Sequence, residues 1–169
     1  MANPLPNEEE CYRRIRDERI RVAPCIWEAI DDHLDDPISL IDLVAALYTD
    51  RNTPMPVKDA LLILGQTLRI REAMQKILNP AAILDTDERF LRVKRERPFI
   101  APVVRDLFTH YIGNDTHIIN MCVSFYTDPA DPVPVPVEDA RKILKAALSM
   151  RVFLCRLREA SCGATGEAR

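Results

Sequence analysis

PVKDALLILGQTLRIREAMQKIL occupies positions 56–78, and PVEDARKILKAALSMRVFLCRLR occupies positions 136–158. Set one above the other, Pro56, Val57, Asp59, Ala60, Ile63, Leu64, Leu68 and Arg71 meet Pro136, Val137, Asp139, Ala140, Ile143, Leu144, Leu148 and Arg151. Each stretch opens on a proline, whose missing N–H costs nothing in the first turn of a helix. Apolar residues then recur three and four apart, which predicts an amphipathic helix of about 22 residues in each stretch. The face marked by the shared positions runs Val57, Ala60, Leu64, Leu68 and Arg71 in one copy, and Val137, Ala140, Leu144, Leu148 and Arg151 in the other.

Upstream the match continues at an offset of 78, the difference being the two extra residues Val133 and Pro134. Ala23-Pro24 recurs as Ala101-Pro102, and Tyr48-Thr49-Asp50 as Tyr126-Thr127-Asp128. Glu10, Arg14, Glu18 and Arg19 fall on Glu88, Arg92, Glu96 and Arg97. Over Asn7–Leu78 the two copies are identical at 19 of 72 positions, with 11 before Met55 and 8 after it. Chance gives roughly four to six, so a tandem duplication is the better account.

Each copy divides into four helices. The first starts at Asn7 or Asp85, a capping residue with glutamate or an equivalent three positions on. The second starts at Pro24 or Pro102 and carries Ile26, Ile30 and Leu34, or Val104, Phe108 and Ile112, on one face. The third follows Asp36-Pro37 or Asp115, and the fourth is the long one. The expected fold is all-α: a bundle of about eight helices, folded as one body with pseudo-twofold symmetry. The units are 1–80 and 81–160, followed by a tail at 161–169. The proline-rich loop before the second long helix is expected to be exposed and partly polyproline II.

The composition, 47% hydrophobic and 29% charged with four glycines, is that of a globular chain and disfavours a β-sandwich. The N-terminal MANPLPNEEE lacks an apolar signal core, and no apolar run reaches the length of a membrane span. Cys11, Cys25, Cys122, Cys155 and Cys162 show no metal-ligand spacing. Cys25, Cys122 and Cys155 fall on or near apolar stripes, so buried or half-buried thiols are expected there. Cytoplasm is the expected location, no cofactor or metal is expected, and no membrane association. The net charge of −3 gives no general attraction for nucleic acid.

The sharpest candidate for a site is the set present in both copies: Tyr48, Thr49, Asp50 and Arg71, with Tyr126, Thr127, Asp128 and Arg151. On a helical wheel Arg71 falls within the shared stripe, and an arginine there needs a partner. Asp50 and Asp128 are the favoured partners, forming a clamp across the turn. The rival reading is a polar pocket, present twice, that binds an anion or a carboxylate through the guanidinium fork. The acidic run Glu28, Asp31, Asp32, Asp35 and Asp36, with His33, invites a divalent-metal reading, but the second copy has no matching ligand set. His110 and His117 have no catalytic context, and no phosphate-cradling glycine loop or nucleophile elbow is present.

Arginines recur on the first helix of each copy. Arg14, Arg19, Arg92, Arg95 and Arg97 form a candidate interaction face, with glutamates interleaved at the four-residue spacing of neutralising pairs. The functional expectation is a non-catalytic helical module that binds a protein partner, or another copy of itself, as an adaptor, chaperone-like or regulatory protein. Two rivals remain open: a nucleic-acid regulator using the arginine helices, and a small-ligand sensor or enzyme using the Tyr/Thr/Asp/Arg set.

Overall fold

The computed structural model describes residues 7–84 and 86–162. Its α-helices are α1 (Glu8–Asp17), α2 (Pro24–Ile30), α3 (Asp36–Arg51), α4 (Val57–Leu78), α5 (Glu88–Glu96), α6 (Pro102–Phe108), α7 (Asn114–Ser124) and α8 (Val137–Cys162). No β-strand occurs among the described residues, and no helix there is long and apolar enough to cross a membrane.

The eight expected helices run as six continuous rods. A π-helical turn at Asp31–Asp35 joins α2 to α3, and a second at Thr109–Gly113 joins α6 to α7. Pro37 lacks an N–H and its ring would crowd the carbonyl four residues back, so a break was the natural expectation there. The wider π turn takes up that lost bond without ending the helix. The second turn sits 78 residues later with Asp115 where the first half has Pro37, so proline is accommodated by the turn and is not its cause. Both turns bury their apolar residue completely, Leu34 in one and Ile112 in the other.

The start of α2 and α6 at Pro24 and Pro102 agrees with the sequence, and Ile26, Ile30, Val104 and Phe108 are all buried. Asn7 caps α1 by accepting from the Glu10 N–H at 3.3 Å. The cap of α5 is Asp87, which accepts from the Arg89 N–H at 2.9 Å; the expected cap, Asp85, lies outside the described residues. The helix α8 continues through Ser161 and Cys162, with Ser161 buried, so the expected tail does not begin at 161. Positions 163–169 lie outside the described residues.

The long helices bury a different face from the one the shared positions marked. On α4 the buried residues are Ala60, Ile63, Gln66, Thr67, Ile70, Ala73 and Ile77. At 100° per residue that face is turned about 100° from the Val57–Leu68 stripe. Leu68 and its counterpart Leu148 are 52% and 44% exposed. Of the shared positions only Ala60/Ala140 and Ile63/Ile143 are buried, because most core positions differ between the two stretches, as at Ile70/Met150 and Ile77/Leu157.

The helices α3, α4, α7 and α8 surround the core in a ring, α3 beside α4, α4 beside α7, α7 beside α8 and α8 beside α3. The short first helices cross over. From the first half, α1 packs on α8 and α6, and from the second half α5 packs on α2 and α4. Polar links follow the same crossing. Arg156 on α8 pairs with Glu8 and Glu9 of α1 and stacks over the buried Tyr12 ring at 4.1 Å, and Arg158 pairs with Asp31. Arg19 and Arg97, 78 residues apart, both take left-handed backbone conformations (φ 52° and 44°) where α1 and α5 end.

At the centre, Met55 and Val135 form an isolated antiparallel bridge, each N–H donating to the other's carbonyl at 2.9 Å. Both side chains are fully buried. The proline-rich loop is exposed over 128–134 except for Thr127 before it and Val135 at its end, so the expected solvent-facing loop is anchored by one core residue.

Candidate functional site

The duplicated polar set does not converge on one place. Tyr48 at the end of α3 donates its hydroxyl to Asp59 in the first turn of α4, and Tyr126 donates to Asp139 of α8 at 2.5 Å. Each tyrosine thereby ties a helix end to the start of the next long helix. The hydrogen bond to a carboxylate raises the phenol pKa of both tyrosines above its ordinary value. Burial alone would raise the Asp139 carboxyl, but hydrogen bonds from Lys142 and Tyr126 outweigh it and hold the group below its usual range. Thr127 turns its hydroxyl back onto the Val123 carbonyl at 3.0 Å, an intrahelical bond. Thr49 is half-buried, and its hydroxyl oxygen has no partner among the described residues. Asp128 accepts from the Ala130 N–H at 2.9 Å inside its own turn, and Asp50 is exposed.

The expected clamp is therefore replaced by another arrangement. Arg151 pairs with Asp42 on α3, in the other half of the chain, instead of with Asp128. Arg71 is exposed on the outer flank of α4 and has no ion-pair partner among the described residues, so Asp50 does not hold it. The reason is the rotated burial face: a residue on the flank of α8 reaches sideways to the neighbouring α3, not back across its own turn. Asp59 and Asp139 are the acids that the tyrosines use. Both were visible as shared positions in the first helical turn, where a carboxylate also suits the helix dipole. Asp42 was not visible, because its counterpart is Asn120.

The arginine face is largely spent on the protein itself. Arg92 bonds Glu28 of α2 at 2.5 and 2.6 Å and Glu96 at 2.6 Å, while Arg89 bonds Asp32 at 2.6 Å and Glu28 at 3.1 Å. Arg95 bonds Glu88 at 2.7 Å, and Arg14 bonds Glu18 at 2.6 Å. Hydrogen bonding to Arg92 holds the Glu96 carboxyl below its ordinary range. Arg19 and Arg97 remain exposed. Of the acidic run that suggested a metal, Glu28 and Asp32 are the other half of these pairs and Asp31 pairs with Arg158, while His33 meets Asp87 at 3.2 Å and stacks on Phe90. Among the described residues no group of three or more acids, histidines and cysteines is placed to hold a metal. Cys155 is exposed, contrary to expectation, because it lies on the same outer flank as Leu148 and Arg151; Cys25 is buried and Cys122 half-buried.

What sequence reasoning missed is a set of apolar side chains left outside the core at matched places. Leu43 and Met121 are 68% and 61% exposed, and Leu47 and Phe125 are 40% and 75% exposed. With Leu68 and Leu148 they make three pairs at equivalent positions of the two halves. The helices that carry them meet in two seams. In one, α3 lies along α8, with Leu43 next to Asp42 and both Leu148 and Val152 close in sequence to Arg151. In the other, α4 lies along α7, with Leu68 close to Arg71 and Met121 next to Asn120. The periodicity could have signalled this, since Leu43 and Leu47 lie about opposite Ile41 and Ala45 on the wheel. A comparison with known protein families, with curated proteins and with solved structures finds no match for this chain.

Proposed function

We propose that this chain is a non-catalytic interaction protein of the cytoplasm, which grips a protein partner through apolar helix faces outside its core. Those faces exist in two versions because the chain is a tandem duplication of a four-helix unit, 1–80 and 81–160, arranged about a pseudo-twofold axis. The observation that carries the functional reading is the matched exposure of Leu43/Met121, Leu47/Phe125 and Leu68/Leu148. A single exposed leucine needs no explanation, but contiguous apolar surface marks an interaction site. Here apolar character stands at three solvent-facing pairs in copies that agree at only 19 of 72 positions. Solvent exposure supplies no folding reason for that.

The duplication is supported by features with the same spacing. The π turns, the helix-starting prolines and the left-handed Arg19 and Arg97 are each 78 residues apart. The tyrosine–aspartate bonds repeat, and Met55 and Val135, equivalent after the two-residue insertion, bond each other reciprocally, as residues astride a twofold axis do.

The test uses the full chain and a variant carrying Leu43→Asp, Leu47→Asp, Met121→Asp and Phe125→Asp as paired baits in a lysate of the source cells. A protein retained by the wild type and lost by the variant, with both baits showing the same helical circular-dichroism spectrum and melting behaviour, is the expected result. Equal recovery by the two baits refutes the reading.

A further inference from the structure

The two seams are not equivalent, and the difference points to a ligand chemistry. In the α3–α8 seam Arg151 is neutralised by Asp42. At the corresponding place in the α4–α7 seam the carboxylate is replaced by the amide of Asn120, and Arg71 stands exposed with no ion-pair partner among the described residues. Neighbouring acids are committed elsewhere: Glu72 pairs with Lys76 at 2.6 Å, and Asp59 holds Tyr48. The only acid of α7, Asp115, is half-buried. Apolar side chains stand exposed on both helices of this seam: Leu68 (52%) one turn from Arg71, Leu61 (49%) further back along α4, and Met121 (61%) beside Asn120 on α7.

Gly65 lies on the same outward face of α4, between Leu61 and Leu68. Glycine inside a helix is destabilising, and a side chain added there would meet nothing within 4 Å. Neither a turn nor close packing within the chain calls for it. An exposed gap between two leucines on a helix is where another backbone can approach closely.

We propose that the α4–α7 seam docks an amphipathic helix of a partner protein, which brings a carboxylate to Arg71 and apolar side chains to Leu61, Leu68 and Met121. In this arrangement the partner supplies from outside what Asp42 supplies to Arg151 from within. Arginine's planar fork suits a carboxylate, and a helix laid in an apolar groove presents anchors at the i, i+3/i+4 and i+7 spacing. A second copy docking seam to seam would bring the two Arg71 side chains together, so charge favours a different, acidic partner. The proposal rests on the interaction reading above and narrows it to one seam.

The experiment selects binders to the full chain from a displayed library of helix-forming peptides randomised on one face. Enriched sequences are expected to carry apolar residues at helical spacing together with an Asp or Glu. A synthetic peptide of the leading sequence, followed by fluorescence anisotropy, should bind at least tenfold more weakly to Arg71→Glu and to Met121→Asp. Gly65→Gln should weaken it too while raising the melting temperature, which separates blocked docking from misfolding. Leu43→Asp and Val152→Asp, on the other seam, should change affinity less than twofold. Changing the peptide's acid to Lys should recover binding to Arg71→Glu. The proposal is overturned if no helical peptide is enriched, if binders lack an acid or ignore Arg71→Glu, or if Met121→Asp instead abolishes self-association of the chain. Binders or lysate partners lost only with Leu43→Asp would leave the interaction reading standing and end this one.

Discussion

Met55 and Val135 exchange both of their backbone hydrogen bonds, 2.9 Å in each direction, and bury both side chains completely. They sit in connecting segments, yet they join the two halves of the chain at the middle of the core. A loop methionine so placed should behave as a core residue. Met55→Ala is expected to cost about 2–5 kcal/mol in urea denaturation, the range for truncating a buried methionine. A cost below about 1 kcal/mol would show that the bridge is incidental.

The Tyr48–Asp59 and Tyr126–Asp139 bonds occupy equivalent positions in separate halves. Tyr48→Phe and Tyr126→Phe should each cost about 0.5–1.5 kcal/mol. The double variant should lose the sum, because distant sites act independently. A strongly non-additive result in chemical denaturation would mean that the two ties are coupled.

The arginine face is expected to act within the molecule. Arg92 and Glu28 are both about one-third exposed, 37% and 33% at the side chain, so solvent screens their pair considerably. Arg92→Ala should therefore lower stability only slightly, and the difference from wild type should shrink in 1 M salt. Submicromolar binding of duplex or single-stranded nucleic acid at physiological salt, lost in Arg92→Glu, would overturn this assignment.

Stability should depend on pH through groups shifted in opposite directions. Asp139 and Glu96 titrate below the ordinary values of 3.8 and 4.5 for these side chains. Their contribution is present above those unfolded-state values and is lost as pH falls through the lower folded-state ones. Burial raises the Asp115 carboxyl above its ordinary value of 3.8, against weaker opposing effects of Ser149 and His110, and one of its oxygens has no partner among the described residues. A group raised in the folded state favours folding below its unfolded value and loses that advantage as pH rises. Asp115→Asn is therefore expected to stabilise the protein at pH 7 and to have little effect near pH 3. Urea melts at the two pH values would show it, and equal effects at both would contradict it.

The thiols should separate by position. Cys155 is exposed, whereas Cys25 is buried, and burial together with hydrogen bonding to Glu96 pushes its thiol up to about 11. With a disulfide-exchange reagent at neutral pH, Cys155 should react at least a hundredfold faster than Cys25, since the thiolate is the nucleophile. Comparable rates would mean that the helices around Cys25 open readily.

Local patterning determined a good deal of this protein. Prolines at 24 and 102 set helix starts, because a residue without an N–H is cheapest there, and the four-residue recurrence of Ile26, Ile30 and Leu34 marked a face that is fully buried. The helical class was legible because propensity, capping and periodicity are properties of neighbouring residues. Tertiary structure alone decided the rest. The π turns keep α2 with α3 and α6 with α7 where proline or Asn-Asp suggested a break, since burying Leu34 and Ile112 outweighs the local signal. Arg151 chose Asp42 over the nearer-in-sequence Asp128 because α8 lies against α3, and no periodicity says which rods become neighbours. For the same reason Leu43, Met121 and Phe125 read in sequence as ordinary apolar helix residues. Only the packed ring of α3, α4, α7 and α8, which has room for one face of each helix, leaves them on the outside.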